Sequence, residues 1–162
     1  MMISVGDTLP DAALIEMTAE GPAAVPLAER VKGRKVVIFA VPGAFTPTCS
    51  SAHVPSFVRT KARFDEKGVD EIICISVNDP FVMAAWGEAS GATAAGITML
   101  ADSESKLTAA LGLQFDAPPV GLLARSQRYA MLVDQGEVKI LHLEESPGTC
   151  ELSAGEALLD AM

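Results

Sequence analysis

The run Val36-Val37-Ile38-Phe39-Ala40-Val41, followed at once by Pro42-Gly43-Ala44-Phe45-Thr46-Pro47-Thr48-Cys49, decides how the rest of the chain is read. An unbroken apolar segment rich in β-branched residues predicts a central strand covered on both faces. Pro42 and Gly43 stop it, and a helical pattern begins near Thr48, runs to about Lys67 and ends at Gly68. Pro55 lies inside that pattern and predicts a kink, because proline lacks the N–H that the helical ladder needs.

Outward from this run, Ile72-Ile73-Cys74-Ile75-Ser76-Val77 reads as a second buried strand. Asn78-Asp79-Pro80 supplies an N-cap with proline at the first helical position, opening a helix to about Ser90. Thr98-Met99-Leu100 predicts a short strand, Ser103 to Leu111 a short helix, and Phe115 to Gly121 a loop carrying Pro118-Pro119. Tyr129 to Val133 and Val138 to Leu143, joined by Asp134-Gln135-Gly136-Glu137, predict a hairpin. Ser153-Ala154-Gly155-Glu156 has the form of a capping box opening a last helix through Met162. Upstream, Gly6, Pro10, Gly21, Pro22 and Pro26 break the opening third into short segments that accommodate a hairpin, and Leu27 to Val31 suits one helical turn. Strands alternating with helices, then a hairpin and a closing helix, predict an α/β fold of the thioredoxin kind. It has a mixed central sheet flanked by helices, in a single domain over residues 1–162.

Composition narrows the function classes. With 49% apolar and 20% charged residues the 162-residue chain matches the globular average, which excludes disordered and collagen-like classes. Twelve Lys+Arg against 21 Asp+Glu give a net charge of −9, which argues against a nucleic-acid partner and against an anionic membrane surface. No apolar stretch approaches the roughly 18 residues that cross a bilayer. Met1-Met2-Ile3-Ser4-Val5-Gly6-Asp7 lacks the basic-then-apolar pattern of a secretory signal, so a reducing, cytoplasmic location is expected. There the three cysteines matter by reactivity, not as a disulfide framework.

Cys49 is the most informative of them. It follows a buried strand and a Pro/Gly loop and falls in the first turn of a helix, where free N–H groups and the helix dipole favour an anion. Thiols so placed have pKa values lowered to between about 3.5 and 7.5. A thioredoxin-type exchanger needs Cys-x-x-Cys, and Cys49-Ser50-Ser51-Ala52 lacks it. Cys49 and His53 share a helix face, but zinc needs three or four ligands. His142, Cys74 and Cys150 offer no recognisable spacing, so no metal and no cofactor is expected. His53 reads either as an ordinary polar helix residue or as one that orients the cysteine loop.

Pro42-x-x-x-Thr46-x-x-Cys49 is similar to the active-site pattern of the peroxiredoxins. The run from Val41 to Ser50, followed by His53 and Pro55, resembles their peroxiredoxin-5-like subfamily (type II, atypical two-cysteine). The resemblance continues through Cys74 to Asp79, Trp86-Gly87, Leu100-Ala101-Asp102 and Arg125-Ser126-Gln127-Arg128-Tyr129-Ala130, and so covers nearly the whole chain. It implies that Cys49 attacks a peroxide oxygen and becomes a sulfenic acid. By the same resemblance Thr46 is the hydroxyl that hydrogen-bonds thiolate and peroxide, Pro42 shields the site, and Arg128 reaches into the pocket, with Arg125 the runner-up. Fixed donors aimed at the charge leaving sulfur lower the barrier without reorganising, and an arginine stays protonated at any working pH.

The implied activity is the reduction of hydrogen peroxide and alkyl hydroperoxides, with a thioredoxin or glutaredoxin/glutathione donor and a homodimeric state. The dimer contact is expected near the loop after Pro42 and near Phe115 to Leu123. Leu123, where the subfamily usually has glycine, and the double proline depart from its pattern. Two rival readings are a general thiol–disulfide exchanger and a peroxide-sensing redox relay without efficient turnover. For resolution of the sulfenic acid, Cys74 reads as a core residue in mid-strand. Cys150, after Pro147-Gly148-Thr149, reads as an exposed loop thiol placed roughly where animal members keep a resolving cysteine. An external thiol is the remaining route.

Overall fold

In the computed structural model, which describes residues 1–162, the apolar run is the strand β3 (Lys35–Val41), set inside a seven-stranded sheet. The other strands are β1 (Ala13–Thr18), β2 (Gly21–Pro26), β4 (Glu71–Ser76), β5 (Thr98–Ala101), β8 (Tyr129–Asp134) and β9 (Glu137–Leu143), in the order β2-β1-β5-β4-β3-β8-β9. β3, β4 and β5 run parallel, while β1, β2, β8 and β9 pair antiparallel. This is the mixed sheet of the thioredoxin-like fold.

Alternation along β3 builds both halves of the core. Val37, Phe39 and Val41 face a cluster with Val54, Phe57 and Phe64 of α2 (Val54–Glu66), Met83 and Trp86 of α3 (Pro80–Ala89), and Leu158 and Leu159 of α5 (Gly155–Ala161). Val36, Ile38 and Ala40 face the opposite cluster, with Leu27 and Val31 of α1 (Leu27–Val31) and Leu107 and Leu111 of α4 (Lys106–Leu111). A side-chain period of two explains the split, and burial on both faces explains the unbroken apolar sequence. At the far end of β4, buried Glu71 accepts from Arg30 (2.6 and 2.9 Å), Arg34 (2.9 Å) and Thr98 Oγ1 (2.6 Å), tying α1 to the sheet.

Local expectations hold at Asp79, whose side chain accepts from Val82 N (2.8 Å) with Pro80 opening α3, and at the β8–β9 hairpin. Four details differ. The helix from Thr48 does not simply kink at Pro55. Cys49–His53 form a single π turn, with Val54 N bonded to Cys49 O, before α2 begins. Proline has no N–H for the ordinary i→i−4 bond, and the ladder widens just ahead of it. The segment expected as a loop at Phe115–Gly121 is a small hairpin, β6 (Gln114–Ala117) and β7 (Leu122–Ser126), joined by a 3₁₀ turn over Pro118–Val120. Ser103–Ser105 precede α4 as a turn, because Asp102 accepts from Leu107 N and Thr108 N and so fixes a later helix start. The capping box at Ser153 does not form. Its hydroxyl donates to Glu144 Oε2 (2.6 Å), Gly155 N is bonded by Ser56 Oγ (2.9 Å), and Glu156 pairs with Arg59.

Candidate active site

The loop after β3 is pinned from three directions. Ala44 N donates to Asn78 Oδ1 (3.0 Å) at the end of β4, Thr46 Oγ1 lies 2.7 Å from Gly43 O, and Arg125 Nη1 donates to Pro42 O (3.1 Å) from β7. Pro42 is buried there. A Cβ on Gly43 would stand 2.6 Å from Arg125 Nη1, so glycine at that position is what lets the guanidinium close over the loop. Phe45 takes the left-handed region (φ 64), uncommon for a bulky residue, and stands exposed.

Cys49, fully buried, starts the π turn with Thr46 Oγ1 at 2.8 Å and Arg128 Nη2 at 3.1 Å from its sulfur. The next residue, Ser50, accepts from Trp86 Nε1 (3.0 Å), fastening the turn to α3. Arg128, just ahead of β8, is itself buried; its Nε and Nη2 donate to Pro147 O (3.2 and 3.0 Å) and its Nη1 meets His53 Nδ1 (3.0 Å). Sulfur thus faces one hydroxyl and one guanidinium, both oriented by further bonds. Such donors stabilise an anion there and any negative charge that develops beside it.

The segment 144–153 covers this cluster. Thr48 Oγ1 donates to Gly148 O (3.1 Å), His53 Nε2 lies 3.0 Å from Ser153 O, and His142 Nδ1 lies 2.8 Å from Leu152 O. Glu144 gathers the segment by accepting from Glu151 N, Ser153 N and Ser153 Oγ (2.8, 2.7 and 2.6 Å). Burial alone would raise the Glu144 pKa, but those bonds outweigh it and hold the carboxyl below its usual range. Burial, followed by the Arg128 charge, pushes His53 down to about 3, against the opposing bond to Ser153 O.

Of the residues singled out in the sequence, Thr46, Cys49, His53 and Arg128 meet in one cluster, while Pro42 is buried at the start of the loop with its carbonyl bonded by Arg125, which holds the loop without touching sulfur. Cys74 is buried in the middle of β4 between Phe39 of β3 and Met99 of β5, and burial drives its thiol pKa well up. Cys150 is half-buried, not exposed as its Pro/Gly surroundings suggest, and burial raises its thiol as well. The Glu144 bonds that fold the segment inward account for the difference. All three cysteines are free, and no group of three His, Cys, Asp or Glu side chains converges as a metal site. The carbonyls of Pro147 and Ser153 and the carboxylate of Glu144 escaped the sequence reading. Backbone acceptors leave no residue-type signal, and Glu144 resembles any acidic residue at a strand end.

A thiol held by a hydroxyl and a guanidinium at the end of a central strand in a thioredoxin-like sheet defines a class of cysteine-based redox proteins. Residues 4–159 match the Redoxin family model. The chain is 49% identical to peroxiredoxin-2E-2, chloroplastic, of Oryza sativa subsp. japonica, over 99% of this chain and 72% of that one. It is 44% identical to peroxiredoxin-2C of the same organism, over 99% and 98%. Among solved structures, the reduced Prx3 of Vibrio vulnificus in complex with hydrogen peroxide aligns with a TM-score of 0.93 at 50% identity, covering 99% of each chain. Peroxiredoxin 5 of Alvinella pompejana aligns at 0.84 with 36% identity, over 98% and 97%. The chain belongs to the Redoxin family as a peroxiredoxin, a thiol-dependent peroxidase.

Proposed function

We propose that Cys49 is the nucleophile of this peroxidase and that hydrogen peroxide and alkyl hydroperoxides are its substrates. The observation that carries the reading is the pair of donors on one buried sulfur, Thr46 Oγ1 at 2.8 Å and Arg128 Nη2 at 3.1 Å. The thiolate attacks one peroxide oxygen, the S–O bond forms as the O–O bond breaks, and the electron pair leaves with hydroxide or alkoxide. That leaving group takes a proton to become water or alcohol, and the sulfur is left as sulfenic acid. The guanidinium and hydroxyl meet the charge as it moves off sulfur. A resolving thiol then displaces water from the sulfenic acid to give a disulfide, which a thioredoxin or glutaredoxin/glutathione donor returns to thiols. A compartment that keeps thiols reduced, the cytoplasm foremost, suits three free cysteines.

Exposed apolar side chains on segments near the Cys49 loop favour a homodimer. Phe45, Phe81, Val120 and Leu123 stand 56%, 65%, 72% and 62% exposed. The segments that carry them adjoin, since Asn78 binds the Phe45 loop next to the start of α3 and Arg125 binds it from β7. Large apolar side chains left exposed on adjoining segments suit an interaction surface. Sedimentation at micromolar concentration is expected to give a dimer that Leu123→Glu weakens; a wild type that sediments only as monomer contradicts it.

Steady-state peroxide consumption with a supplied reductant tests the whole reading. Cys49→Ser is expected to remove turnover while the fold persists, since a serine hydroxyl is far less ionised at pH 7. Retention of more than about a tenth of the wild-type rate would move the chemistry to another cysteine. Oxidation of Cys49 without turnover under any reductant would leave a peroxide-sensing relay.

A further inference from the structure

We infer that His53 is a positioning residue, fixing the Arg128 guanidinium against the Cys49 sulfur through the lone pair on Nδ1. The inference rests on Cys49 as the attacking thiol and assigns to the ring two separable jobs, one on each nitrogen.

The partners decide which nitrogen carries the proton. A guanidinium only donates, so at 3.0 Å from Arg128 Nη1 the ring must present a lone pair at Nδ1. A backbone carbonyl only accepts, so at 3.0 Å from Ser153 O the proton must sit on Nε2. One neutral tautomer satisfies both. A proton on Nδ1 would set two N–H groups head to head inside a buried site, which is why the fully buried ring stays uncharged. Phe39 and Phe57 hold the ring plane, their centroids 4.9 and 5.7 Å from that of His53. The lone pair is therefore stationary.

Consider Arg128 without it. Nη1 would be a buried cationic N–H with no partner, and only the bonds to Pro147 O would hold the guanidinium in place. Leaving a charged donor unsatisfied is costly, so the guanidinium would turn toward another acceptor and carry Nη2 off the sulfur. His53 and Cys49 are the two ends of one π turn. The turn that presents the sulfur thus also presents the acceptor that aims the arginine at it.

The two nitrogens can be tested apart. An asparagine amide stands near the place of Nδ1, and a glutamine amide reaches the place of Nε2. His53→Asn therefore keeps an acceptor for Arg128 and gives up Ser153, while His53→Gln does the reverse. The measurement is the second-order rate of peroxide reduction under excess reductant. His53→Gln is expected to lose about tenfold and His53→Asn no more than about threefold. In an Arg128→Ala background His53→Gln should cost nothing further, because its effect runs through that guanidinium. A loss in His53→Asn as large as in His53→Gln, or additive losses in the double variant, overturns the proposal. His53→Leu, apolar and placed against the stacked pair Phe39 and Phe57, stands in for either variant that fails to fold. It is expected to lose about tenfold and to be silent without Arg128, and a retained rate overturns the proposal. The wild-type rate and its loss in Cys49→Ser test the peroxidase reading independently of these ratios.

Discussion

Thr46 Oγ1 lies 2.8 Å from Cys49 Sγ and 2.7 Å from Gly43 O, so its one proton has two claimants. While the thiol is intact, S–H can donate into the hydroxyl and the hydroxyl into the carbonyl. Once sulfur is ionised both neighbours only accept, and the hydroxyl proton turns to the stronger of them. The threonine thereby follows the charge state of the sulfur while its position stays fixed by the loop.

The two donors on sulfur are expected to weigh alike. Thr46→Val and Arg128→Ala should each slow attack on peroxide by about 10², the scale of losing one charge-stabilising donor. Arg125→Ala should cost less, about tenfold, because its Nη1 touches Pro42 O and acts on the loop. Single-turnover rates with the reduced enzyme check this. A larger loss in Arg125→Ala than in Arg128→Ala would reverse their roles.

Much of this was legible in the chain because the strongest signals are local. β3 and β4 declare themselves by apolar runs, α3 by Asp79 and Pro80, and the β8–β9 hairpin by its turn. The small β6–β7 hairpin was missed because its prolines read as loop, and the failed cap at Ser153 because Glu144 competes for the same hydroxyl from another strand. Thr46, Cys49 and Arg128 were legible through motif resemblance. Their bond lengths, and the choice between Arg125 and Arg128, needed the fold, since the segments lie about eighty positions apart (Arg128 and Cys49, 79).

Resolution of the sulfenic acid is expected to fall to Cys150. A disulfide requires Cα atoms within about 7 Å, so the freedom of each candidate to approach Cys49 decides the route. Cys74 is held in β4 by bonds to strands on both sides, whereas Cys150 sits in a segment outside the sheet, fastened by side chains of Thr48, His53, Arg128, His142 and Glu144. A non-reducing digest after one equivalent of peroxide should yield a Cys49–Cys150 pair. A Cys49–Cys74 pair sinks this route, and an adduct with an added thiol on Cys49 alone selects external resolution.

Acid should loosen the fold well above the usual carboxylate range. His53 is held near 3 in the folded chain, against an ordinary 6.5, so between those values the unfolded chain takes up a proton that the folded chain refuses. Stability is complete above about 6.5 and falls as pH drops toward 3, by up to about 1.4 kcal/mol per pH unit. Glu71 and Glu144, both held below 4.5, add a loss of the same sign at lower pH. Urea midpoints at pH 7, 6 and 5 should decline in wild type and decline less in His53→Leu. Equal slopes in the two proteins contradict the assignment.

Trp86 is the one tryptophan in the chain, and its indole N–H is bonded to Ser50, the residue next to Cys49. The molecule therefore carries its own optical probe. Any step that unwinds the π turn takes Ser50 from the indole and alters the polarity around its N–H, to which indole emission responds. Emission of the unlabelled protein thus offers a real-time test of whether oxidation or resolution disturbs the turn.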